Sequence, residues 1–248
     1  MLKSRSTERE ILDGTGYTPE LFARTLAVLA LINRLTNTHS ATCRAFELAS
    51  EYTKDRPLRV LDIGFGFGDG CRRLASFARR KSIPTAIHGI ELNPLATELA
   101  RRATAPTLGI EYFTGDVFAF HPERPYHLIT CTQVAHHLSD ADVARLLRWM
   151  TENCCVAWFV NDLHRSRLAT FLFRRLTRLL SFNHVIRNDG EVSIARAFRR
   201  EDWRSLIASA QIDRALVTVR WNWAFRYGVF YRHPGKNAPL SGPRMVLL

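Results

Sequence analysis

Apolar and polar positions along the chain follow two different periods. Up to about residue 55 the apolar residues recur at helical spacing, with Thr18 and Pro19 placed to begin a first helix and a second helix predicted over 40–52. From residue 58 onward, short apolar runs alternate with helix-like segments. The predicted strands are 58–63, 86–91, 110–114, 127–132 and 154–161, and the predicted helices between them are 70–81, 94–103 and 140–150.

This alternation predicts an α/β fold with a doubly wound, mostly parallel sheet. A closing antiparallel hairpin over 215–221 and 224–231 brings the expected sheet to seven strands. The predicted organisation is an N-terminal helical extension (1–55), a main domain (56–232) with a lid-like helical insertion at about 164–200, and a loose C-terminal tail (233–248). Ligands of such sheets bind at the carboxyl ends of the strands, so those loops are where chemistry is expected.

The 248-residue chain has a formal charge of +12, half of which lies between His164 and Arg204. Such an excess favours an anionic partner: nucleic acid, an acidic carrier protein or an anionic membrane surface. The chain has no apolar run of about 18 residues and no secretory signal pattern, which predicts a cytoplasmic location, at most peripheral to a membrane. The five cysteines have no metal-ligand spacing, so no metal site is predicted.

The first predicted strand runs directly into a glycine-rich loop. Asp62 lies near the end of this strand, and Gly64, Gly66, Gly68 and Gly70 follow at alternate positions. Glycines let the backbone turn tightly and approach a ligand, and the N–H groups at the following helix start favour a negative group. The GxGxG spacing departs from the GxGxxG of dinucleotide-binding proteins, since Asp69 replaces the third glycine of that motif, and no P-loop Lys-Ser/Thr follows.

Two further carboxylates follow the next two predicted strands. Glu91 ends the second strand, where a carboxylate can accept hydrogen bonds from both hydroxyls of a ribose. Asp116 follows the third strand and can accept from an adenine amino group, while Leu92 and Val117 supply apolar walls for the ring. Either carboxylate alone could be a helix or turn cap, but three signals at three successive strand ends favour a nucleoside site.

At these residues, over about 58–161, the chain resembles the class I, Rossmann-like methyltransferases that use S-adenosylmethionine (SAM). The resemblance implies that Asp62 and the glycines hold the methionine end of SAM, Glu91 its ribose and Asp116 its adenine. It also implies cofactor contacts for Leu92, Val117 and Thr132. Phe65 and Phe67 depart from the small or polar residues usual between the glycines, and their bulk could crowd the cofactor or line the substrate side. The cofactor-binding set is Asp62, Gly64, Gly66, Gly68, Glu91, Leu92, Asp116, Val117 and Thr132.

The loop after the fourth strand contains His136, His137 and Leu138. It resembles the corresponding loop of small-molecule methyltransferases of the ubiquinone/menaquinone and polyketide-tailoring kind. A histidine there can accept a phenolic or enolic proton near neutral pH. The alternative is that one histidine caps the next helix and the other packs. Methyl transfer does not strictly need a base, because alignment with the activated sulfonium supplies much of the rate.

Downstream of the fifth strand, residues 165–180 read as an amphipathic helix with a broad apolar stripe and several arginines. Such a helix is most often packed on its domain, but it can also be a lid over an apolar acceptor or an element touching anionic lipid. Residues 183–193 are polar and read as a loop. They resemble a His/Asp-Gly segment of the same small-molecule branch, which makes His184 and Asp189 further candidates for the acceptor site and adds His184 to His136 and His137 as a catalytic candidate.

The sequence therefore predicts a SAM-dependent methyltransferase acting on an oxygen or carbon of a small lipophilic acceptor that is phenolic, quinone-like or polyketide-derived. An RNA methyltransferase is the alternative that the charge favours. Against it, the residues after the fourth strand lack both the Pro-Pro turn of amino-methylating enzymes and a Pro-Cys pair, and no RNA-binding module is recognisable. A non-catalytic SAM-fold protein that binds a partner through its basic face is a third reading, against which Glu91 and Asp116 argue.

Overall fold

The computed structural model describes residues 4–14, 16–53, 57–180 and 182–234. Its strands are β1 (Leu58–Ile63), β2 (Thr85–Glu91), β3 (Ile110–Thr114), β4 (Tyr126–Thr132), β5 (Cys154–Leu163), β6 (Val217–Asn222) and β7 (Arg226–Arg232). Its helices are α1 (Pro19–Leu35), α2 (Ser40–Ser50), α3 (Asp69–Arg80), α4 (Pro94–Ala103), α5 (Asp140–Asn153), α6 (Arg167–Leu179), α7 (His184–Arg196) and α8 (Arg200–Ser209). Most of the predicted loose tail lies outside the described residues.

The seven strands form one sheet in the order β3-β2-β1-β4-β5-β7-β6. β1 to β5 are parallel, and β7 pairs antiparallel with both β5 and β6. The predicted α/β, doubly wound, mostly parallel seven-stranded sheet is therefore confirmed. The strand order reverses direction at β1 and β4, so the loops after these two strands flank the crevice where ligands of open α/β sheets bind.

The sheet carries a separate apolar core on each of its faces. On one face α2 and α3 pack against residues of β1, β4 and β5, with Phe46 and Leu74 fully buried. On the other face α5 and α8 bury Leu147 and Trp203 against the same central strands. Because helices cover both faces, β1 is buried along almost its whole length. The ends of the central strands are thereby held rigidly, which fixes the loops that follow them.

Several helix boundaries follow from local chemistry that the sequence displays. Thr18 caps α1 by accepting a hydrogen bond from the Leu21 N–H, and Pro19 is the first helical residue, as predicted. Asn93 caps α4 in the same way, by accepting from the Leu95 N–H, and Pro94 is the first residue of that helix. Within the described ranges, no helix is long and apolar enough to cross a bilayer.

One local prediction is wrong. Residues 184–196 form the helix α7 rather than a polar loop. Asn183 caps this helix by accepting from the Ile186 N–H, and Val185 and Ile186 are buried. Gly190 lowers helix propensity, but a Cβ at this position would come within 2.1 Å of the Phe173 ring of α6. Close packing of α6 on α7 therefore outweighs the local preference for a turn.

The apolar stripe predicted on α6 forms, but it does not pack on the domain. Leu168, Phe171 and Leu176 are each about half exposed, and Leu179 is 81% exposed. The face of α6 that packs is a different one and carries the buried Ala169 and Thr177 together with Phe173. The helix therefore packs on α7, but through a face other than its apolar stripe.

Candidate active site

The glycine-rich loop after β1 depends on backbone angles that other residues rarely adopt. Gly64, Gly66 and Gly68 have φ values of 65°, 51° and 73°. The Gly64 N–H donates to the Ile90 carbonyl at the end of β2, and the Gly68 N–H donates to the Phe65 carbonyl, both over 2.8 Å. The loop is thus folded back on itself beside β2, and the glycines allow this without the cost of left-handed backbone at residues bearing a Cβ.

The two phenylalanines of this loop do not crowd its outer side. Phe65 is 5% exposed and its ring lies beneath the loop, 4.6 Å from the Tyr112 ring centroid and against Gly89 of β2. Phe67 lies beside α3, where the Arg72 guanidinium carbon is 5.2 Å from its ring centroid. At Gly66 no atom lies within 4 Å of the position that a Cβ would occupy. The loop therefore presents open backbone to a ligand.

Glu91 lies beside the glycine-rich loop at the end of β2. One carboxylate oxygen accepts from the Gly66 N–H and the other from the Asn93 N–H, each over 3.0 Å. Since each carboxylate oxygen has two acceptor positions, both oxygens keep one for ligand hydroxyls. Leu92, the next residue, is 71% exposed, as an apolar wall for a bound ring would be before the ligand binds.

Asp116 follows β3 at the same edge of the sheet and is exposed. One of its oxygens accepts from the Phe118 N–H over 2.9 Å and thereby caps the short 3₁₀ turn Val117–Ala119. Val117 is half-buried behind it. The structure thus brings Glu91, Leu92, Asp116 and Val117 to adjacent strand ends, in the order expected for ribose and adenine recognition.

Asp62 is placed differently from the other carboxylates, because its side chain is buried below the loop. It accepts hydrogen bonds from the Thr130 hydroxyl of β4 (2.7 Å) and from the Cys71 thiol of α3 (3.4 Å). Burial raises the pKa of Asp62 above its ordinary value. In this structure Asp62 ties β1, β4 and α3 together beneath the glycines, which is a way of holding the loop in shape.

The N-terminal helices close over the same edge, which sequence reasoning did not foresee. Asn33 and His39 both bond to one carboxylate oxygen of Asp69, the first residue of α3, at 3.2 and 2.8 Å. Tyr17 accepts a hydrogen bond at its hydroxyl from the Asn93 side-chain amide. These contacts join residues 30 to 76 positions apart, so no local sequence pattern predicts them.

Two buried polar atoms near this edge lack partners among the described residues. They are Nδ1 of His39 and Oδ1 of Asn161, whose side-chain amide donates to the Thr38 carbonyl. Thr132, at the end of β4, lies 3.4 Å from the Thr42 hydroxyl. Unpaired buried polar atoms are costly unless a ligand or water satisfies them. Together with the open backbone at Gly66, they fit a ligand rich in hydrogen-bonding groups, such as SAM.

The two adjacent histidines after β4 have different environments. His136 is 3% exposed, and its Nδ1 lies 2.7 Å from a carboxylate oxygen of Asp162 in β5. The His136 N–H donates to the other oxygen of the same carboxylate. Burial alone would raise the pKa of Asp162, but the His136 hydrogen bond and charge outweigh burial and hold it below its ordinary value. His136 is thus fixed between two central strands.

His137 is partly exposed and pairs with the N-terminal segment instead. Its Nδ1 lies 2.9 Å from a carboxylate oxygen of Asp13, and the side chain is 33% exposed. Burial would raise the pKa of Asp13, but the hydrogen bond and charge of His137 dominate and lower it. The pair leaves the Nε2 atom of His137 free of this contact, which is the arrangement that a carboxylate-oriented general base requires.

Residues 5–13 reach this position because they are bound to α7 and to the histidine loop. Arg196 of α7 donates to the backbone carbonyls of both His136 and His137. Asp189, buried in α7, accepts from the Ile11 and Leu12 N–H groups over 2.8 and 3.1 Å. Asp189 therefore positions the N-terminal segment, and its place at an acceptor site stays a prediction.

Glu10 completes this cluster. It is 8% exposed, lies 3.6 Å from Nε2 of His136 and accepts from the Ser193 hydroxyl over 2.7 Å. Burial raises the pKa of Glu10 to about 7, although the charge of His137 opposes the shift. Glu10, His136 and His137 offer ligand atoms within 4.8 Å of one another, a spacing that could hold a metal ion. Asp162 and Asp13 already occupy one nitrogen of each imidazole, and the absence of a metal stays a prediction.

The candidate His184 and the thiol of Cys131 both lie outside this cluster. His184 is exposed at the first residue of α7, about 13 Å along the helix from Ser193 at 1.5 Å per residue. Cys131, in β4, is fully buried, and burial raises the pKa of its thiol well above the ordinary value. A buried neutral thiol is a poor nucleophile, so Cys131 does not suit an RNA methyltransferase that uses a cysteine nucleophile.

Comparison with known proteins identifies what the central part of the chain is similar to. Residues 60–154 match the family model of a methyltransferase domain. Residues 60–154 are thus similar to a methyltransferase domain, and the predicted enzyme class is confirmed at that level, with SAM as the cofactor expected of that class. A search of curated proteins with the sequence gave no match.

Solved structures with the same fold include three methyltransferases. Plantazolicin methyltransferase BpumL in complex with SAH has a TM-score of 0.61 and 11% identity, with 85% of this chain and 90% of that chain covered. Human N-acetylserotonin methyltransferase with SAM gives 0.59 and 16%, covering 87% and 56%. Magnesium protoporphyrin IX methyltransferase of Synechocystis PCC 6803 with SAM gives 0.52 and 11%, covering 90% and 88%. At these identities the likeness shows the fold alone.

Proposed function

We propose that this protein transfers the methyl group of SAM to an oxygen or carbon of a small lipophilic acceptor. The observation that carries the proposal is the arrangement of two sites at one sheet edge. Open glycine backbone and the carboxylates of Glu91 and Asp116 follow β1 to β3, and the His137–Asp13 pair follows β4. A nucleoside site beside an oriented, partly exposed imidazole is suited to methyl transfer to an acidic hydroxyl or enol.

Residues at the ends of β1 to β3 are those we expect to hold the cofactor. The backbone of Gly64, Gly66 and Gly68 faces the methionine end, Glu91 accepts from the ribose hydroxyls and Asp116 from the adenine amino group. Asp62 acts beneath the loop, through its bonds to Thr130 and Cys71. When bound, SAM supplies a methyl group already activated by its sulfonium.

On the acceptor side we assign different tasks to the two adjacent histidines. His137, with Nδ1 held by Asp13, would accept the proton of a phenolic or enolic acceptor at Nε2. His136 is buried against Asp162 and Glu10 and therefore serves to position the loop. Ionisation of the acceptor at His137 generates the nucleophile that attacks the methyl group, and the proton of the acceptor passes to Nε2 of His137. His184 is kept as a second candidate for the base.

The acceptor class is inferred from apolar character rather than from the solved neighbours. The proteins with the same fold are named for plantazolicin, N-acetylserotonin and magnesium protoporphyrin IX, three chemically unrelated molecules. The resemblance of the loop at His136–Leu138 and of Asp189-Gly190 to quinone- and polyketide-tailoring enzymes supports a phenolic, quinone-like or polyketide-derived acceptor. Exposed apolar side chains on α6, beside this region, support a lipophilic one.

The proposed setting is the cytoplasm, at most peripheral to a membrane. The +12 charge fits an anionic membrane or an acidic carrier protein that presents the acceptor. Nucleic acid is a less fitting partner, because the arginines of α6 are interspersed with exposed leucines and phenylalanine rather than with polar residues.

A methyl-transfer assay tests the proposal. Purified protein is incubated with methyl-labelled SAM and, in parallel, with an extract of lipophilic metabolites and with total RNA. We expect label in the organic phase, lost with Gly66→Val and strongly reduced with His137→Gln. Label in RNA alone would support the RNA methyltransferase instead. Absence of SAM binding in calorimetry would contradict both enzymes and leave a partner-binding protein with this fold.

A further inference from the structure

Large exposed apolar side chains are concentrated on one helix. Among the described residues, twelve large hydrophobic side chains are exposed, and six of these lie on α6 or on the residue that follows it. They are Leu168, Phe171, Leu172, Leu176, Leu179 and Leu180, with exposed fractions of 45–81%. A contiguous apolar surface of this kind on a globular protein marks an interaction site.

The fold does not use this face of α6. The helix packs on α7 through a different face, on which Ala169 and Thr177 are buried and the Phe173 ring lies against Gly190. Arg174 adds an ion pair with Glu191 of α7. The apolar stripe is therefore available to a partner without any rearrangement of the helix.

The charge on α6 indicates what that partner is. Arg167, Arg174, Arg175 and Arg178 are exposed, and the helix contains no acidic residue. At 100° per residue, Arg175 falls among the leucines and its guanidinium carbon lies 5.3 Å from the Phe171 ring centroid. An arginine within an apolar face can hold its charge at a polar boundary while its stem lies on apolar surface. This combination of apolar and positively charged side chains fits a surface with an apolar interior and an anionic outer layer.

A second element extends the surface near the start of α6. Trp223, in the turn between β6 and β7, is 75% exposed, and Trp221 is 43% exposed. The turn is attached to His164, three residues before α6, because the His164 N–H donates to the Phe225 carbonyl and the Trp221 indole N–H donates to the His164 ring. Exposed tryptophans are enriched where proteins meet the headgroup region of a bilayer.

We infer that α6 and the β6–β7 turn bind the surface of an anionic lipid bilayer, with the apolar stripe and Trp223 entering the interface. Arg167, Arg175 and Arg178 contact the lipid phosphates. The inference deepens the proposed function, since a bilayer is where a lipophilic acceptor accumulates, but binding to lipid is measured without methyl transfer. An acidic protein would supply negative charge but no apolar surface wide enough to cover the whole stripe. A second copy of the chain that used the same face would place arginines against arginines, which repel one another.

Vesicle co-sedimentation of the full chain tests this inference. The probes are vesicles of phosphatidylcholine alone and vesicles containing phosphatidylglycerol at about a third of the lipid. We expect the protein to bind the anionic vesicles. The binding constant should fall about fivefold in each of the single variants Arg175→Ala and Arg178→Ala, and by the product of the two factors in the double variant, because one arginine near the surface contributes about 1 kcal/mol of binding free energy. Leu179→Ser and Trp223→Ala should each reduce binding, and at high salt the arginine effect should shrink.

The matched control is the double variant Arg79→Ala/Arg80→Ala, which removes the same charge from two exposed residues at the end of α3. Equal loss of binding in this control would mean that net charge alone attracts the protein, and would overturn the inference. Binding to RNA but not to vesicles would overturn it as well, as would a dimer in light scattering that Leu179→Ser dissociates. All variants are at exposed positions, so unchanged thermal unfolding and SAM affinity verify that they fold.

Discussion

The two halves of the sheet edge differ in how they are built. The cofactor side consists of short segments, 62–70, 89–93 and 114–117, each placed directly after its own strand. The acceptor side is assembled from residues 10–13, 136–137, 162 and 189–196, which no local segment joins. A site built from strand ends leaves a periodic pattern in the sequence, whereas a site built from long-range contacts leaves isolated residues.

The two sides also differ in electrostatics. On the cofactor side Asp116 is exposed and Glu91 retains acceptor positions for a ligand. On the acceptor side Glu10 and Asp162 are buried and paired with histidines, and the pKa of Glu10 is raised by burial to about 7. Under the proposed function the first side binds the cofactor and the second holds or moves protons, so we expect substitutions on the first side to change SAM affinity and those on the second to change turnover.

The largest effect is expected at His137. Replacing it with Gln should lower turnover about 10²–10⁴-fold, the range for removal of a general base, and leave SAM affinity unchanged. The measurement is kcat with a methyl acceptor, together with calorimetry of SAM binding. His184→Gln is the comparison, because that imidazole is exposed at the start of α7. A similar loss there, with His137→Gln active, would move the base from the β4 loop to α7.

The next effect concerns Glu10 and stability. Its carboxyl has a pKa of about 7 when folded and 4.5 ordinarily, so between these values the folded protein retains a proton that the unfolded chain releases. The free energy of unfolding therefore falls as pH rises from 4.5 to 7, by up to about 3 kcal/mol. The Glu10→Gln protein has no carboxyl at this position and lacks this loss. Its free energy of unfolding relative to that of wild type should therefore increase as the pH rises from 4.5 to 7.

Urea unfolding of both proteins at several pH values measures this difference, in which the contributions of other groups cancel. Glu123→Gln, at an exposed glutamate, is the control and should follow wild type. A constant difference between wild type and Glu10→Gln from pH 4.5 to 7 would show that Glu10 ionises normally in the folded protein.

A third prediction belongs to the cofactor side. Glu91→Ala should weaken SAM binding by about 1.5–3 kcal/mol, the range for hydrogen bonds to a charged group, while turnover at saturating SAM changes less. Because Glu91 also accepts from the Gly66 and Asn93 N–H groups, the free protein should melt at a lower temperature. Glu111→Ala, at an exposed residue of β3, is the control. Unchanged SAM affinity in Glu91→Ala would remove Glu91 from the site.

The smallest effect is expected for Gly66→Ala. The site has φ of 51° and free space around a Cβ, so the cost is the left-handed conformation alone, about 1–2 kcal/mol of stability. Gly64→Ala should cost more, because its Cβ would lie 2.4 Å from a Val134 methyl group. Thermal unfolding of the two variants shows which substitution destabilises the protein more. Equal losses of stability would mean that Val134 moves aside at no cost.

The sequence alone was sufficient for the fold, and it singled out the strand-end residues that we propose hold the cofactor. The alternation after residue 58 gave the order of strands and helices, and the spacing of Gly64, Glu91 and Asp116 gave the three strand-end groups. It was insufficient for Phe65, whose direction depends on the positive φ of the flanking glycines. It also missed Asn33 and His39 on Asp69, because those contacts depend on how α1 and α2 fold over the sheet.

Helix α6 shows the same division. Its amphipathic pattern was evident, but the pattern cannot say which of two faces packs. Contact with Gly190 of α7 decides this, by accommodating Phe173 and leaving the leucines exposed. The same contact stabilises residues 184–196 as a helix, although Gly190 and the polar residues of this segment favour a loop in the sequence.

What the sequence determined by itself was whatever rests on neighbours along the chain: the strand and helix periods, the caps at Thr18 and Asn93, and the glycine-rich turn. What only the tertiary structure decided was the pairing of Asp13 with His137, of Asp162 with His136 and of Asp189 with residues 11 and 12. The reason is physical. Backbone preferences act over a few residues, whereas a carboxylate 124 positions from its histidine is brought to it only when burial of the apolar core has fixed every element between them.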